Sequence, residues 1–379
     1  MRRAALFAIG TALAAIMAVA PANAQQALGV KADAAPKAAR TYDHTKPYPA
    51  YTAPKTAWGA PNLMGIWSNA SLTQLTRPAA LKDQVVMTDA QVAELENNAQ
   101  IEIEEGNAAT DPNAPADFVQ KTTVQRPEFA AAGGDVGGYN RGWLDPGNLV
   151  MRVNGEARTS LLTTPTGSPP ARKAGAQVAN ADVPGFMAHI GESPVKKGGA
   201  FENMESRSAG ERCIVSFGRN GGPPMFANGF YNNNYEFVQT PDHVVINVEM
   251  NHDPRIIRLN AKHRTDDVRP YFGDSIGWWE GETLVVETTH IPQSQQFMGS
   301  WKDLKVTEKF KRVAEDRMLY TFTVEDPTLW DAAWGGEYEF HPLETQRLFE
   351  YACHEGNYAL PGILSGARVE EAKAAGKKY

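Results

Sequence analysis

The sequence predicts a mainly β protein, an antiparallel barrel or sandwich with one or two peripheral helices, and of the two forms the barrel is preferred. Two observations carry this. Short β-rich runs follow one another from Tyr231 onward, separated by turn residues: 231–240, 243–251, 255–259, 283–290, 304–313, 318–325, 337–343 and 347–353. Within 304–313, strand alternation puts Leu304, Val306, Glu308, Phe310 and Arg312 on one face. A carboxylate and a guanidinium pointing into an apolar face need a partner, water or a ligand, and a cavity inside a barrel supplies room for one.

Composition sets the limits. The chain has 379 residues, 42% hydrophobic and 21% charged, with two cysteines and a net charge of −7. This excludes collagen, coiled coil and a disulfide-dense miniprotein. An acidic chain is also a poor match for a phosphate backbone, so nucleic acid is not an expected partner.

Taken in order, residues 1–24 read as a signal peptide. Arg2 and Arg3 precede an apolar run, and Ala22-Asn23-Ala24 supplies a cleavage site. No later run reaches the roughly 18 to 20 apolar residues of a membrane helix, so a periplasmic or secreted protein is expected. Residues 25–58, rich in Ala and Pro, read as a disordered tether, and 59–379 as one β-rich domain. Asn62 to Leu75 has strand character, and Gly65-Ile66-Trp67 carries the Gly-x-Trp pattern with which lipocalin-type barrels close one end. A peripheral helix spans 88–106: Thr88 and Gln91 form a capping box, Val92, Leu95, Ala99 and Ile103 share a face, and Gly106 ends it. Residues 107–138 read as loop. Leu149 to Thr164 reads as a hairpin turning on Asn154-Gly155, and 165–210 as a long loop region.

In an oxidising compartment Cys213 and Cys353 are expected to pair, across 140 positions.

The first chemical cluster is His252-Asp253-Pro254-Arg255. Alternation through Val244, Ile246, Val248 and Met250 puts His252 at the end of an apolar face. An imidazole can exchange protons near neutral pH, a carboxylate can orient it, and a guanidinium can hold an oxyanion. The plainer alternative is a turn with a satisfied core histidine. A second cluster, Cys353-His354-Glu355-Gly356-Asn357-Tyr358, would be steadied by the disulfide. If the two clusters met, their two histidines and two carboxylates would suffice for a divalent metal; otherwise no cofactor is expected. Inward carboxylates such as Glu308 are read as acids or bases, or as buried partners of Arg212, Arg255 or Arg258. Asn233 and Tyr235, in an asparagine-rich strand, and Trp279, Glu308 and Tyr358 complete the expected binding residues. Five tryptophans between 278 and 334 are read as core filling. Elbow, Walker, dinucleotide-binding, His-Glu-x-x-His and haem-attachment motifs are absent from the sequence.

The segments NLMGIWSNASLTQLTRP, RTSLLTTP, ERCIVSFG, YNNNYEFVQTPDHVVINVEMNHDPRII, GDSIGWWEGETLVVETT, FTVEDPTLW and YACHEGNY together resemble a family of secreted bacterial proteins, over about residues 61 to 368. The resemblance implies a β-rich, lipocalin-like body and a functional role for the His-Asp-x-Arg and Cys-His-Glu segments. It implies no particular reaction.

The expected function is a cofactor-independent enzyme of the lyase, hydratase, isomerase or hydrolase type. It would use acid–base catalysis on a small apolar or aromatic molecule in the barrel, with His252 as base, Asp253 orienting it, Arg255 holding an oxyanion, and His354 with Glu355 as second acid. The rival expectations are a lipocalin-like carrier without catalysis and a metal-dependent enzyme.

Overall fold

The computed structural model describes residues 43–81, 83–106, 147–177, 201, 203–207, 209–216, 219–227, 231–343 and 347–377. The expected signal peptide, the first part of the expected tether, the expected loop 107–138 and residues 178–200 of the expected loop region 165–210 lie outside the described residues.

Nine strands close into a barrel. In chain order the β-elements are β1 (Gly65–Ser68), a two-stranded hairpin of β2 (Arg152–Val153) and β3 (Glu156–Ala157), β4 (Asn234–Gln239), β5 (His243–Val248), β6 (Asp253–Leu259), β7 (Asp274–Glu280), β8 (Thr283–Thr289), β9 (Lys305–Ala314), β10 (Arg317–Glu325) and β11 (Trp334–Pro342). Round the wall the order is β1-β11-β10-β9-β8-β7-β6-β5-β4, and β4 pairs back onto β1. All neighbours are antiparallel except β6 and β7, where Ile257 lies opposite Ser275 in a parallel pair. Geometry demands this departure from the expected antiparallel barrel. Each antiparallel pairing reverses direction, and a closed ring of nine strands returns to its starting direction only if the number of reversals is even.

Strand alternation fills the interior. Phe237, Ile246, Ile257, Val286, Val306, Phe310, Tyr320, Tyr338 and Phe340 point inward and are buried. Aromatic rings meet edge to face or tilted, as between Phe237 and Phe310 at 5.4 Å and Tyr320 and Tyr338 at 4.7 Å. The expected cavity is therefore occupied by the chain's own side chains. Trp330 and Trp334 are buried in this core.

Several local expectations are met. Asn154 and Gly155 both take positive φ, as a tight hairpin turn requires. Helix α1 (Asp89–Gly106) begins with the capping box: the Gln91 backbone N–H donates to the Thr88 hydroxyl at 3.3 Å, and the Thr88 N–H donates to the Gln91 side chain at 2.8 Å. Its inward face is Val92, Ala99 and Glu102, while Leu95 is exposed, so the buried stripe is rotated from the one expected.

Others are corrected. Residues 43–58, expected within the tether, lie along the barrel: the Tyr48 hydroxyl donates to Glu339 at 2.6 Å, the Ala53 N–H donates to Glu282 at 3.2 Å, and Ala53 is buried. Residues 347–353 are not a strand. Asp274–Glu280 is one, although its Gly-Trp-Trp composition hid it among loop residues. Helix α2 (Ala359–Ala374) ends the described chain.

Candidate functional site

Strand register defines two barrel ends. At one, the Trp67 indole N–H donates to the Leu63 carbonyl at 3.1 Å, and the Arg312 guanidinium lies over the indole at 5.5 Å. The Gly-x-Trp residues thus lie at this end, with Trp67 buried.

The other end gathers Ser68, Asn234, Val248 and Asp253 at the ends of β1, β4, β5 and β6. A cap, residues 219–226, crosses it with every residue buried. The approach is close: a Cβ on Gly221 would lie 2.5 Å from a Phe272 ring carbon, so a larger residue there would have to displace that ring. Phe226 packs on Phe297 and Phe322 at 5.7 and 5.3 Å. The Asn220 amide donates to Asn233 at 3.1 Å. Arg219 donates to the carbonyls of Gln295 at 2.9 Å, Gln296 at 3.1 Å, and Pro223.

Two inward phenols grip the cap by one residue's main chain. The Met225 N–H donates to the Tyr320 oxygen at 3.0 Å, and the Tyr338 hydroxyl donates to the Met225 carbonyl at 2.7 Å. The proton directions follow. Tyr320, already accepting from Met225, donates its own proton to Glu308 at 2.8 Å. Tyr338, already donating to Met225, accepts from the Asn69 amide at 3.1 Å. Burial raises both phenols well above the ordinary tyrosine range, so they stay protonated donors.

Glu308 also meets Arg255, whose guanidinium donates to both carboxylate oxygens, one at 3.0 Å, and to the Thr288 hydroxyl at 3.0 Å. Thr288 in turn shares a 2.8 Å bond with Ser275. Glu308 therefore points inward as expected, and Arg255 is its partner among the three arginines considered. Arg255 has no free place at a rim for an oxyanion.

His252 departs most from expectation. β5 ends at Val248, and Asn251 and His252 both take positive φ, which turns the imidazole outward and exposes it. The inward alternation passes instead to Asp253, Arg255 and Ile257. Asp253 is buried at the mouth, accepting the Ser216 N–H at 2.6 Å. Among the described residues no lysine or arginine pairs with it. Burial pushes its carboxyl up to about 6, against the opposing pull of the Ser216 bonds.

Cys213 and Cys353 are disulfide-bonded, with Cα atoms 5.8 Å apart. The bond ties the Cys353 loop to the segment that runs through Ser216 into the cap. The same loop is tied to the β5–β6 turn, because the Phe349 N–H donates to Glu249 at 3.1 Å. Glu249 also accepts from Asn232 at 2.7 Å and Asn234 at 3.1 Å. The two expected clusters thus belong to one clamped barrel end, but His354, Glu355 and Tyr358 are exposed on the loop surface. Among the described residues no three His, Cys, Asp or Glu side chains group to hold a metal. Tyr235 and Asn233 are buried inside this end, and Trp279 is partly buried against the core.

The sequence reading missed Asn69, Ser216, Arg219, Asn220, Met225, Ser275, Thr288, Tyr320 and Tyr338. Alternation along 318–324 pointed to Tyr320, because it shares a face with Met318, Phe322 and Val324. The cap residues carry no periodicity that would have found them.

Comparison with protein-family models, curated proteins and solved structures finds no match.

Proposed function

We propose that this chain is an exported acid–base enzyme whose working end is the capped, disulfide-clamped mouth of the barrel, with Asp253 as its proton-transferring group. One observation carries the reading. Asp253 is a buried mouth carboxylate held by hydrogen bonds from Ser216, with no lysine or arginine paired to it among the described residues, and its pKa of about 6 suits proton exchange near neutral pH. Its partner in exchange is the neighbouring exposed His252, so the roles first expected are exchanged: Asp253 is the base and His252 the exposed shuttle. The disulfide supports an oxidising compartment, as the signal-like first segment does, and no described helix is long and apolar enough to cross a membrane. Membership of the secreted bacterial family and the small apolar or aromatic substrate belong to the same proposal.

The experiment is proton exchange. The purified protein is incubated in D2O with a panel of small aromatic and alicyclic esters, lactones and ketones, followed by mass spectrometry. Turnover or carbon-bound deuterium uptake that falls at least 100-fold in Asp253→Asn, with an apparent pKa near 6 in the unaltered chain, supports the reading. Equal rates in the variant overturn it. A carrier without catalysis is the second reading, favoured by the exposure of both His252 and His354. It would appear as a ligand recovered unchanged from the purified protein.

A further inference from the structure

Arg219 is a buried cation without a buried anion. Only 3% of it is exposed, and its contacts are three carbonyl oxygens and the face of Phe297, 4.9 Å below the guanidinium. No carboxylate lies within ion-pair distance of it among the described residues. The charges that act on it are Glu308 and Arg255, which already neutralise each other. Carbonyl dipoles and a ring face soften the cost of this charge but do not remove it, and burial lowers its pKa to about 9.

The same place has a second deficit. Phe297 stacks on Trp334 at 5.7 Å, and Trp334 meets Trp330 edge-on at 5.3 Å. Along this column the Nε of Arg219, the Nε1 of Trp334 and the Nε1 of Trp330 are all buried and have no acceptor among the described residues. Guanidinium and indole nitrogens only donate, so each of them is satisfied only by an acceptor. A donor left unpaired in a protein interior costs about 1–3 kcal/mol.

We infer that the capped mouth holds a second, anion-accepting site, centred on Arg219 and the Phe297–Trp334–Trp330 column, that takes a small organic carboxylate. A single negative charge matches a single uncompensated guanidinium, and the aromatic column matches an apolar or aromatic tail. A dianion would bring one charge too many into an apolar setting. This site does not rest on the Asp253 reading: carboxylate binding at Arg219 stands or falls without any turnover.

The test is the thermal unfolding midpoint of the full chain after prolonged incubation, since these atoms are sealed from solvent. Benzoate and acetate are compared with chloride and sulfate at matched ionic strength. A saturable rise of a few degrees, larger for benzoate than for acetate and lost in Arg219→Gln, is the expected result. An equal rise with chloride or sulfate, an equal rise in Arg219→Gln, or no rise at any carboxylate concentration up to about 10 mM overturns the inference. If Arg219→Gln fails to fold, the unaltered protein decides the matter through tryptophan fluorescence. Bromobenzoate should quench it saturably and benzoate should reverse the quenching; absence of saturable quenching overturns the inference.

Discussion

Arg255 on β6 and Glu308 on β9 pair inside the barrel although two further strands, β7 and β8, separate them along the wall. The pair therefore spans the interior rather than zipping neighbouring strands. It has no exposed atom to be rescued by water: the two side chains are 1% and 0% accessible. Removing one partner leaves the other charge buried alone. Glu308→Gln and Arg255→Met are each expected to lower the unfolding free energy by about 3–5 kcal/mol, and the double change Arg255→Met/Glu308→Gln by clearly less than their sum. Urea unfolding of the four proteins measures this, and simple additivity would show that the pair is not coupled.

Asp253 sets a pH dependence with a definite sign. Its folded pKa lies above its unfolded one, so its contribution favours the folded state below about pH 4 and is lost as pH rises through about 6. Asp253→Asn removes that loss. The variant is expected to be more stable than the parent at pH 7 by up to about 3 kcal/mol, with the difference vanishing near pH 4. Denaturation curves at the two pH values give the answer, and a variant less stable at pH 7 would contradict a carboxyl whose setting is governed by burial.

The Cys213–Cys353 bond closes a loop across 140 positions. Chain entropy gives such a bond at most about 5 kcal/mol. Replacing both cysteines by serine is expected to lower stability by about 2–5 kcal/mol and to make the Cys353 loop the first site cut by protease. Limited proteolysis of both proteins, mapped by mass spectrometry, tests the second half independently.

Tyr338→Phe removes the donor to the Met225 carbonyl and the acceptor of the Asn69 amide together. A cost of about 1–3 kcal/mol is expected, with faster amide exchange in residues 219–226. Unchanged exchange there would show that the phenol does not hold the cap.

Where one strand alone decides the outcome, the sequence was readable. Alternation from Leu304 to Phe310 places Glu308 inward, and it is inward; Asn154-Gly155 names its own turn. His252 was misread because Met250, in the turn, is as fully buried as Val244, Ile246 and Val248. The apolar period therefore runs on past the end of the strand, while the backbone has already left it. The cap was illegible for a different reason. Residues 219–226 are positioned by tyrosines about 95 and 113 positions away, which no local pattern encodes.

The four residues of β1 bear on the order in which the molecule is assembled. β1 pairs antiparallel with both β4 and β11, so without it those two strands would run parallel, and the ring would need a second parallel join to close. Ser68 reaches His341 across most of the chain. The wall from β4 to β11 can form by mostly local pairings, but closure waits until the last strand has been made and can return to one of the first. Such long-range pairings are slow to form. Until β1 docks, β4 and β11 stand as open edges able to pair with another copy, so the expected hazard in producing this protein is aggregation during refolding, and chains lacking residues 65–68 should aggregate most.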